Sequence, residues 1–425
     1  PTYRADGHRS AVTGAQLSPK LFPHWTFRPR HAPQTAWPLT VEEEQRMHSD
    51  RAYHAVVAGT TLVFGNNVDN HLHALDTRTG KIKWSFATEG SVRFAPMIDG
   101  GRIYFGSDDG NVYCVDAAKG TLVWKYRPGP SGERIIGRDR MISLWPVRTG
   151  VLVEDGILYA TAGIFPYEGL YIAAVNAKTG KNIWMNDTAG DQAWGLLYGG
   201  MAPQGYLVAS ANSLYVPTGR SMPAEFDKRT GKFKRLLNAG GKIGGSWTMM
   251  DGNELFAGVA NQGTDTKITF DIKSGRSRGD RFSRYPSIDM VLTTDTAFIA
   301  TRKGIYGIDR AANLKANSDV PALDKESGAL VKTIAAIRKR HKAAGDKPEE
   351  LKKLSADLTK ATTRISAINK DKAALNGARV KWFTPREKLG PLVLAGDTLF
   401  AGGDGFVLSL ESATGKLVMD HALKS

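Results

Sequence analysis

The chain has 425 residues, 41% of them hydrophobic, with 46 Gly and no apolar run near the length of a membrane helix, which describes a turn-rich globular body without a helical span. A formal net charge of +15 favours anionic surfaces such as nucleic acid, lipid headgroups or acidic polysaccharide without choosing among them. Cys114 is the single cysteine, so neither an intrachain disulfide nor a cysteine-based zinc site can form, and its place in a strand reads as a small core residue. The chain begins at Pro1 without an initiator Met or a signal peptide, which is read here as a processed chain.

His24-Trp25-Thr26-Phe27-Arg28 reads as an outer strand with nothing before it: it either starts an eighth blade or pads the last one, and the first is favoured. Next comes a repeating unit, clearest at Gly101 to Trp124, GRIYFGSDDGNVYCVDAAKGTLVW. It predicts an apolar strand over 103–106, a turn at Asp108-Asp109-Gly110-Asn111, a strand over 112–115, a turn closed by Gly120 and an outer strand opened by Trp124. Gly110 and Gly120 supply the positive φ that such turns need. The Asp-x-x-x-Gly turn recurs at Asp76 to Gly80, Asp116 to Gly120, Asp227 to Gly231 and Asp271 to Gly275, with variants at Asn176 to Gly180 and Glu411 to Gly415. Asp309 marks one more copy that lacks the Gly. Seven copies result, with turn glycines about 40 to 60 residues apart, the period of four-stranded propeller blades with loop insertions. Trp84, Trp124, Trp184 and Trp382 open outer strands, where a flat ring covers the seam between sheets.

The segments ALDTRTGKIKW, CVDAAKGTLVW and AVNAKTGKNIW, ending at Trp84, Trp124 and Trp184, resemble the repeat of pyrroloquinoline-quinone-type β-propellers. That superfamily includes quinoprotein dehydrogenases and the propeller lipoprotein of the outer-membrane β-barrel assembly machinery. Segments such as DRAYHAVVAG, RMISLWPVRTG and VPTGRSMPAEFD further resemble uncharacterised exported propellers of planctomycete-type bacteria. The resemblance covers most of 53–310 and 378–425 and implies an all-β propeller with seven complete repeats and possible space for an eighth. The expected division is an N-terminal segment 1–52, blades one to six over 53–310, a helical insertion 311–377, and the end of blade six with blade seven over 378–425.

The insertion departs from the repeat. Leu330, Ile334 and Ile337 lie at helical spacing; after Gly345 to Pro348, Leu351, Leu354, Leu358, Ala361, Ile365, Ile368 and Leu375 follow at steps of three and four apart from Lys372. Pro348 suits a first turn and Asn376-Gly377 a C-terminal stop. The segment is read as an antiparallel helical hairpin, a coiled coil set into blade six. With 14 Lys or Arg against 8 Asp or Glu it is either a solvated spacer or a docking arm whose Arg338, Lys339, Arg340, Lys352 and Lys353 would meet a protein partner.

The largest loop on the expected ligand face, 127–148, carries Arg127, Arg134, Arg138, Arg140 and Arg148 around Trp145. Guanidinium forks beside an indole suit a carboxylate, a phosphate or a sulfated sugar. Arg93, Gln192, Trp194, Arg220, Trp247 and Asp289 are expected around the same mouth, making a cationic and aromatic funnel. His71-x-His73 reads as an alternating strand pair rather than a metal site, and the Asp108-Asp109-Gly110 stretch as a hairpin turn. No catalytic or metal-binding set is singled out, and no recognised nucleic-acid module is present. The quinoprotein resemblance implies an adjacent cysteine pair, a Ca²⁺ site of Glu, Asn and Asp, and a stacking Trp; one cysteine removes the first. The expectation is therefore a non-enzymatic exported scaffold, periplasmic or otherwise extracytoplasmic, that needs no cofactor. Its funnel would bind an anionic small molecule, peptide or polysaccharide, and its arm a protein. The alternative is a quinone-dependent oxidoreductase using pyrroloquinoline quinone with Ca²⁺ at a reduced site.

Overall fold

The computed structural model describes all residues except 37–51, 138, 191–200, 220, 238–244, 262–263, 346 and 424–425. Two compact units result: Pro1–Ser287 with Val393–Gly396, and Ile288–Leu392 with Asp397–Ser425.

In the first unit each copy of the repeat folds as one antiparallel sheet with neighbouring strands in sequence order. Blade one is Ala55–Ala58, Thr61–Gly65, His71–Asp76 and Ile82–Ala87; blade two is Met97–Asp99, Arg102–Gly106, Val112–Asp116 and Leu122–Tyr126. Blade three is Leu152–Glu154, Ile157–Ala162, Tyr171–Asn176 and Asn182–Asn186, and blade four is Val208–Ala209, Ser213–Thr218, Ser221–Asp227 and Phe233–Leu236. Blade five keeps Thr248–Asp251, Glu254–Asn261 and Thr264–Asp271, but its fourth strand shrinks to a bridge between Phe270 and Ser277. The sequence there, Arg276-Ser277-Arg278-Gly279, lacks the alternating apolar residues that hold an outer strand to its sheet. Middle strands are buried on both faces: Leu72, Ile103, Leu158, Leu214 and Leu255 are all less than 2% exposed.

The turn glycines share one geometry, with φ of 68° at Gly80, 69° at Gly120, 70° at Gly180 and 72° at Gly231. Against each lies an indole, for the last three one from the preceding outer strand. Trp84 covers Gly120, Trp124 covers Gly180 and Trp184 covers Gly231, and their Nε1 atoms donate to the carbonyls of Ala117, Ala177 and Lys228 at 3.3, 3.0 and 3.2 Å. Arg235 takes the same place over Gly275 and donates to the Ile272 carbonyl at 3.1 Å. Trp25 does so over Gly80, donating to Thr77 at 2.7 Å, although no strand forms around it. The His24–Arg28 stretch thus holds the docking slot of an outer strand without a sheet of its own.

The first thirteen residues have no counterpart in the repeat. They run along inner strands, whose free edges donate to them: Ile98 to the Pro1 carbonyl at 2.8 Å, Met250 to His8 at 2.9 Å and Leu394 to Ala11 at 2.9 Å. Val12 and Thr13 then pair in parallel with Leu394 and Ala395. Arg9 anchors the segment from a fully buried position, donating through Nε and Nη2 to the Leu207 carbonyl and through Nη1 to Thr2. Burial lowers its pKa to about 10, which leaves it charged at neutral pH.

The second unit holds blade six, Asp289–Leu292, Thr296–Ala300, Gly304–Asp309 and Val380–Pro385, and most of a further sheet, the start of Leu389–Ala395 with Thr398–Gly403, Phe406–Glu411 and Leu417–Ala422. Trp382 covers Gly415 in the manner already described and donates to Ser412 at 3.0 Å. Between the third and fourth strands of blade six stand α1 (Arg310–Ala343) and α2 (Pro348–Ala378). Their origin is legible in the turn. In the repeat, Asp116 accepts from the amide three residues on, at 2.8 Å; Asp309 accepts from Ala312 at the same 2.8 Å and is the N-cap of α1. A turn already shaped as a cap needs only to continue as helix. Pro348 sits in the first turn of α2 as expected, but Gly377 does not stop it: α2 runs to Ala378 and is followed by Arg379, still in helical conformation. Arg379 is buried and donates to Asn313 and Asn317 of α1 at 3.0 and 2.7 Å, which ties the helices together at their base and carries α2 past the glycine.

Candidate functional site

The residues expected at the funnel do not all meet. Two of them do, on a third that the sequence reading treated as a turn. Asp108 is fully buried; its Oδ2 accepts from Arg93 Nε at 2.7 Å and its Oδ1 lies 2.6 Å from Arg148 Nε. Both guanidiniums are also buried, so one carboxylate draws together the loop before blade two, the loop inside it and the loop before blade three. Ion pairing offsets much of the desolvation cost of all three groups. Around them Arg93 also donates to the Gln34 carbonyl at 3.0 Å, Asn67 exchanges two hydrogen bonds with Gln34, and Ser91 donates to Asn67. Asp108 therefore occupies the place that an external carboxylate would take between these two arginines.

The loop 127–148 is more ordered than its composition suggested. Arg134–Gly137 pairs with Arg140–Ser143 as a small hairpin turned by Asp139 at φ 61°. Arg134 pairs with Glu89. Arg140 donates to the carbonyls of Asn67 and Val68 at 3.2 and 2.8 Å. Trp145 is buried, stacks edge-on to Tyr171 and donates to the Glu168 carbonyl at 2.6 Å, so its ring serves the packing of the loop. Arg138, Gln192, Trp194 and Arg220 lie outside the described residues. Trp247 is flanked by two cations, Arg4 at 5.7 Å and Lys267 at 5.1 Å from its ring. Asp289, in the second unit, accepts from the Leu392 amide at 2.9 Å. The five arm residues, Arg338, Lys339, Arg340, Lys352 and Lys353, are all exposed at the end of the helical hairpin.

Two side-chain clusters were missed from sequence. In the first, His73 joins Ser85 and Asp69, at 2.8 and 2.9 Å, within blade one; the alternating His71-x-His73 pattern carried part of that signal, and only the fold supplies Ser85 from the next strand. In the second, the Tyr3 ring stacks on Tyr206 with centroids 3.8 Å apart and on His54 at 5.0 Å, while the Tyr206 hydroxyl lies 2.5 Å from His54 Nδ1. Burial brings the His54 pKa down to about 4. Since the unfolded value is about 6.5, the neutral ring contributes its full stabilisation above that pH, and the contribution is lost as the pH falls from there toward 4. Melting curves are expected to show a loss of thermal midpoint across that window, and His54→Phe to remove this component.

Of the groups that quinoprotein resemblance implies, the adjacent cysteine pair has no counterpart in this sequence. Cys114 has no cysteine neighbour; it is buried in blade two, where burial pushes its thiol pKa up to about 11. Among the described residues no group of three or more His, Cys, Asp or Glu is placed to hold a metal ion, and no helix is long and apolar enough to cross a membrane.

Comparison with known proteins gives the lineage of the repeat. Residues 32–333 and 168–421 match, in two overlapping alignments, the family described as outer membrane protein assembly factor BamB. Tetrathionate hydrolase of Acidithiobacillus ferrooxidans is 28% identical over 225 residues, 50% of this chain and 41% of that protein. BamB of Yersinia pestis is 29% identical over 160 residues, 36% of each. The chain thus matches less than half the length of either relative. Among solved structures, a europium-containing methanol dehydrogenase aligns over 100% of this chain and 85% of its own with a TM-score of 0.58 at 12% identity. Quinohemoprotein alcohol dehydrogenase of Comamonas testosteroni aligns over 87% and 66% with a TM-score of 0.51 at 13% identity. At such identities the likeness is one of fold, a β-propeller.

Proposed function

Because the chain belongs to the BamB family of PQQ-like propellers, we propose that it is an extracytoplasmic scaffold rather than an enzyme. The helical hairpin would be the surface that engages a protein partner. The observation that carries this reading is the family match along nearly all of the repeat, together with a two-helix arm grown from a blade turn. The polar cluster around Asp108 supports it from the other side. Arg93 and Arg148 serve an internal carboxylate, which favours a role in holding three loops and makes the funnel the weaker of the two binding surfaces. An anionic small molecule, peptide or polysaccharide bound at this face would have to compete with Asp108.

The second reading is a quinone-dependent oxidoreductase, favoured by the fold shared with two alcohol dehydrogenases. The lone buried cysteine speaks against it. Titration with pyrroloquinoline quinone and Ca²⁺, followed by absorbance and by dye-linked alcohol oxidation, separates the two. The scaffold reading expects neither a bound-quinone spectrum nor turnover; saturable binding with alcohol-dependent dye reduction would replace it with the oxidoreductase.

A further inference from the structure

The hairpin does not carry its charge evenly. Residues 330–353, the end farthest from the blade, hold eight Lys or Arg against three Asp or Glu, whereas the rest of 311–377 holds six against five. Half of the six stem cations are matched: Lys315 lies 3.2 Å from Asp319, Arg364 grips Glu326 with bonds of 2.7 and 2.9 Å, and Lys372 pairs with Asp324. At the tip matching falls to one of eight cations among the described residues, Lys347 at 3.9 Å from Glu350. Among the described residues, Arg338, Lys339, Arg340, Lys352 and Lys353 have no carboxylate within ion-pair distance, and all are exposed. The tip is nonetheless built as a fixed platform, with Ile337, Ala344 and Leu354 buried together and Leu351 and Leu358 packed against them. A helix of 34 residues extends about 50 Å. Like charges concentrated on an ordered end, at the expense of self-repulsion, make a surface matched to negative charge.

We propose that the hairpin tip docks on a protein surface of clustered carboxylates, an inference that rests on the arm being the partner-binding surface and names what it recognises. Three features favour polypeptide over phosphate. No Phe, Tyr or Trp occurs in 311–377, so the tip offers nothing to stack on nucleic-acid bases. Within 330–353 Val331 is the one large apolar side chain exposed among the described residues, and a single valine is too little for the wedge with which interfacial helices enter a bilayer. Glu349 is exposed and Glu350 half-buried among the lysines, a mixed pattern that sets register against another protein and repels a uniform phosphate surface.

The full chain tests this with poly-L-glutamate as the probe, beside vesicles of phosphatidylglycerol and phosphatidylcholine and a thymidine oligonucleotide. Poly-L-glutamate is expected to bind at about 0.05 M salt and to weaken at least about tenfold by about 0.5 M. Joint reversal of Arg338, Lys339, Arg340, Lys352 and Lys353 to Glu is expected to remove at least about ninety per cent of that affinity with the circular dichroism spectrum unchanged. Reversal of Lys325, Lys360 and Lys370 on the stem serves as the control and is expected to change affinity less than about threefold. The proposal is overturned if poly-L-glutamate does not bind at low salt, if stem and tip reversals weaken it equally, or if vesicles or oligonucleotide bind as tightly. These outcomes are independent of the quinone titration. A chain that binds quinone could still show the tip effect, and a scaffold could lack it.

Discussion

Asp108→Ala is expected to cost about 3–5 kcal/mol of folding stability, because it removes the one carboxylate that two buried guanidiniums share. The substitution removes the carboxylate that lies 2.7 Å from Arg93 and 2.6 Å from Arg148 and leaves both charges buried without it. Asp108→Asn keeps the shape but not the charge and should lose nearly as much. A triple change that also replaces Arg93 and Arg148 with Met should recover part of the loss, since removing a buried charge set together is less harmful than removing half of it. Urea denaturation reads the result directly. A loss below about 1 kcal/mol for Asp108→Ala would mean that the three loops are held by something other than this ion cluster.

A second large effect is expected at the blade seams, and a matched pair of glycines isolates it. Gly231 and Gly252 both have positive φ, 72° and 56°, so alanine at either is strained by about 1–2 kcal/mol. They differ in surroundings. A Cβ at Gly252 meets nothing within 4 Å, whereas one at Gly231 would lie 2.3 Å from the Trp184 ring. Gly231→Ala must therefore also displace the indole and break its bond to Lys228, adding about 1–3 kcal/mol. The difference between the two variants measures the seam. If they melt together, the indoles contribute little and the sheets are joined by their apolar faces alone.

The fold could be read from sequence wherever structure is local and repeated. An Asp- or Asn-x-x-x-Gly turn followed by a tryptophan four residues on encodes a turn, an outer strand and the ring that covers the next turn, and the three copies that carry it, at Trp84, Trp124 and Trp184, folded as that pattern requires. Helical spacing in 330–375 was equally plain, since side chains three and four apart must share a face. What escaped was set by tertiary partners. Asp108 reads as a turn residue because it is one; only the approach of Arg93 and Arg148, 15 residues before and 40 after it, makes it a buried counter-ion. The strap over 1–13 bears no periodicity at all. Its four non-glycine residues with positive φ, Arg4, Ala5, Arg9 and Ala11, are tolerated because Arg9 and the inner-strand amides hold the backbone there. Outer-strand pairing failed in blade five, where the turn was kept but the apolar alternation after it was not.

The arm tests the whole account most directly. A chain in which 314–377 is replaced by a short Gly-Ser turn should keep its β-sheet circular dichroism and melt cooperatively, since every blade strand lies outside the deleted segment. Set beside the full chain in affinity capture from cell-envelope extract, with bound proteins identified by mass spectrometry, it should lose a defined partner that the full chain retains. Retention of the same partners by both chains would contradict the claim that this propeller works as a scaffold through its helical arm.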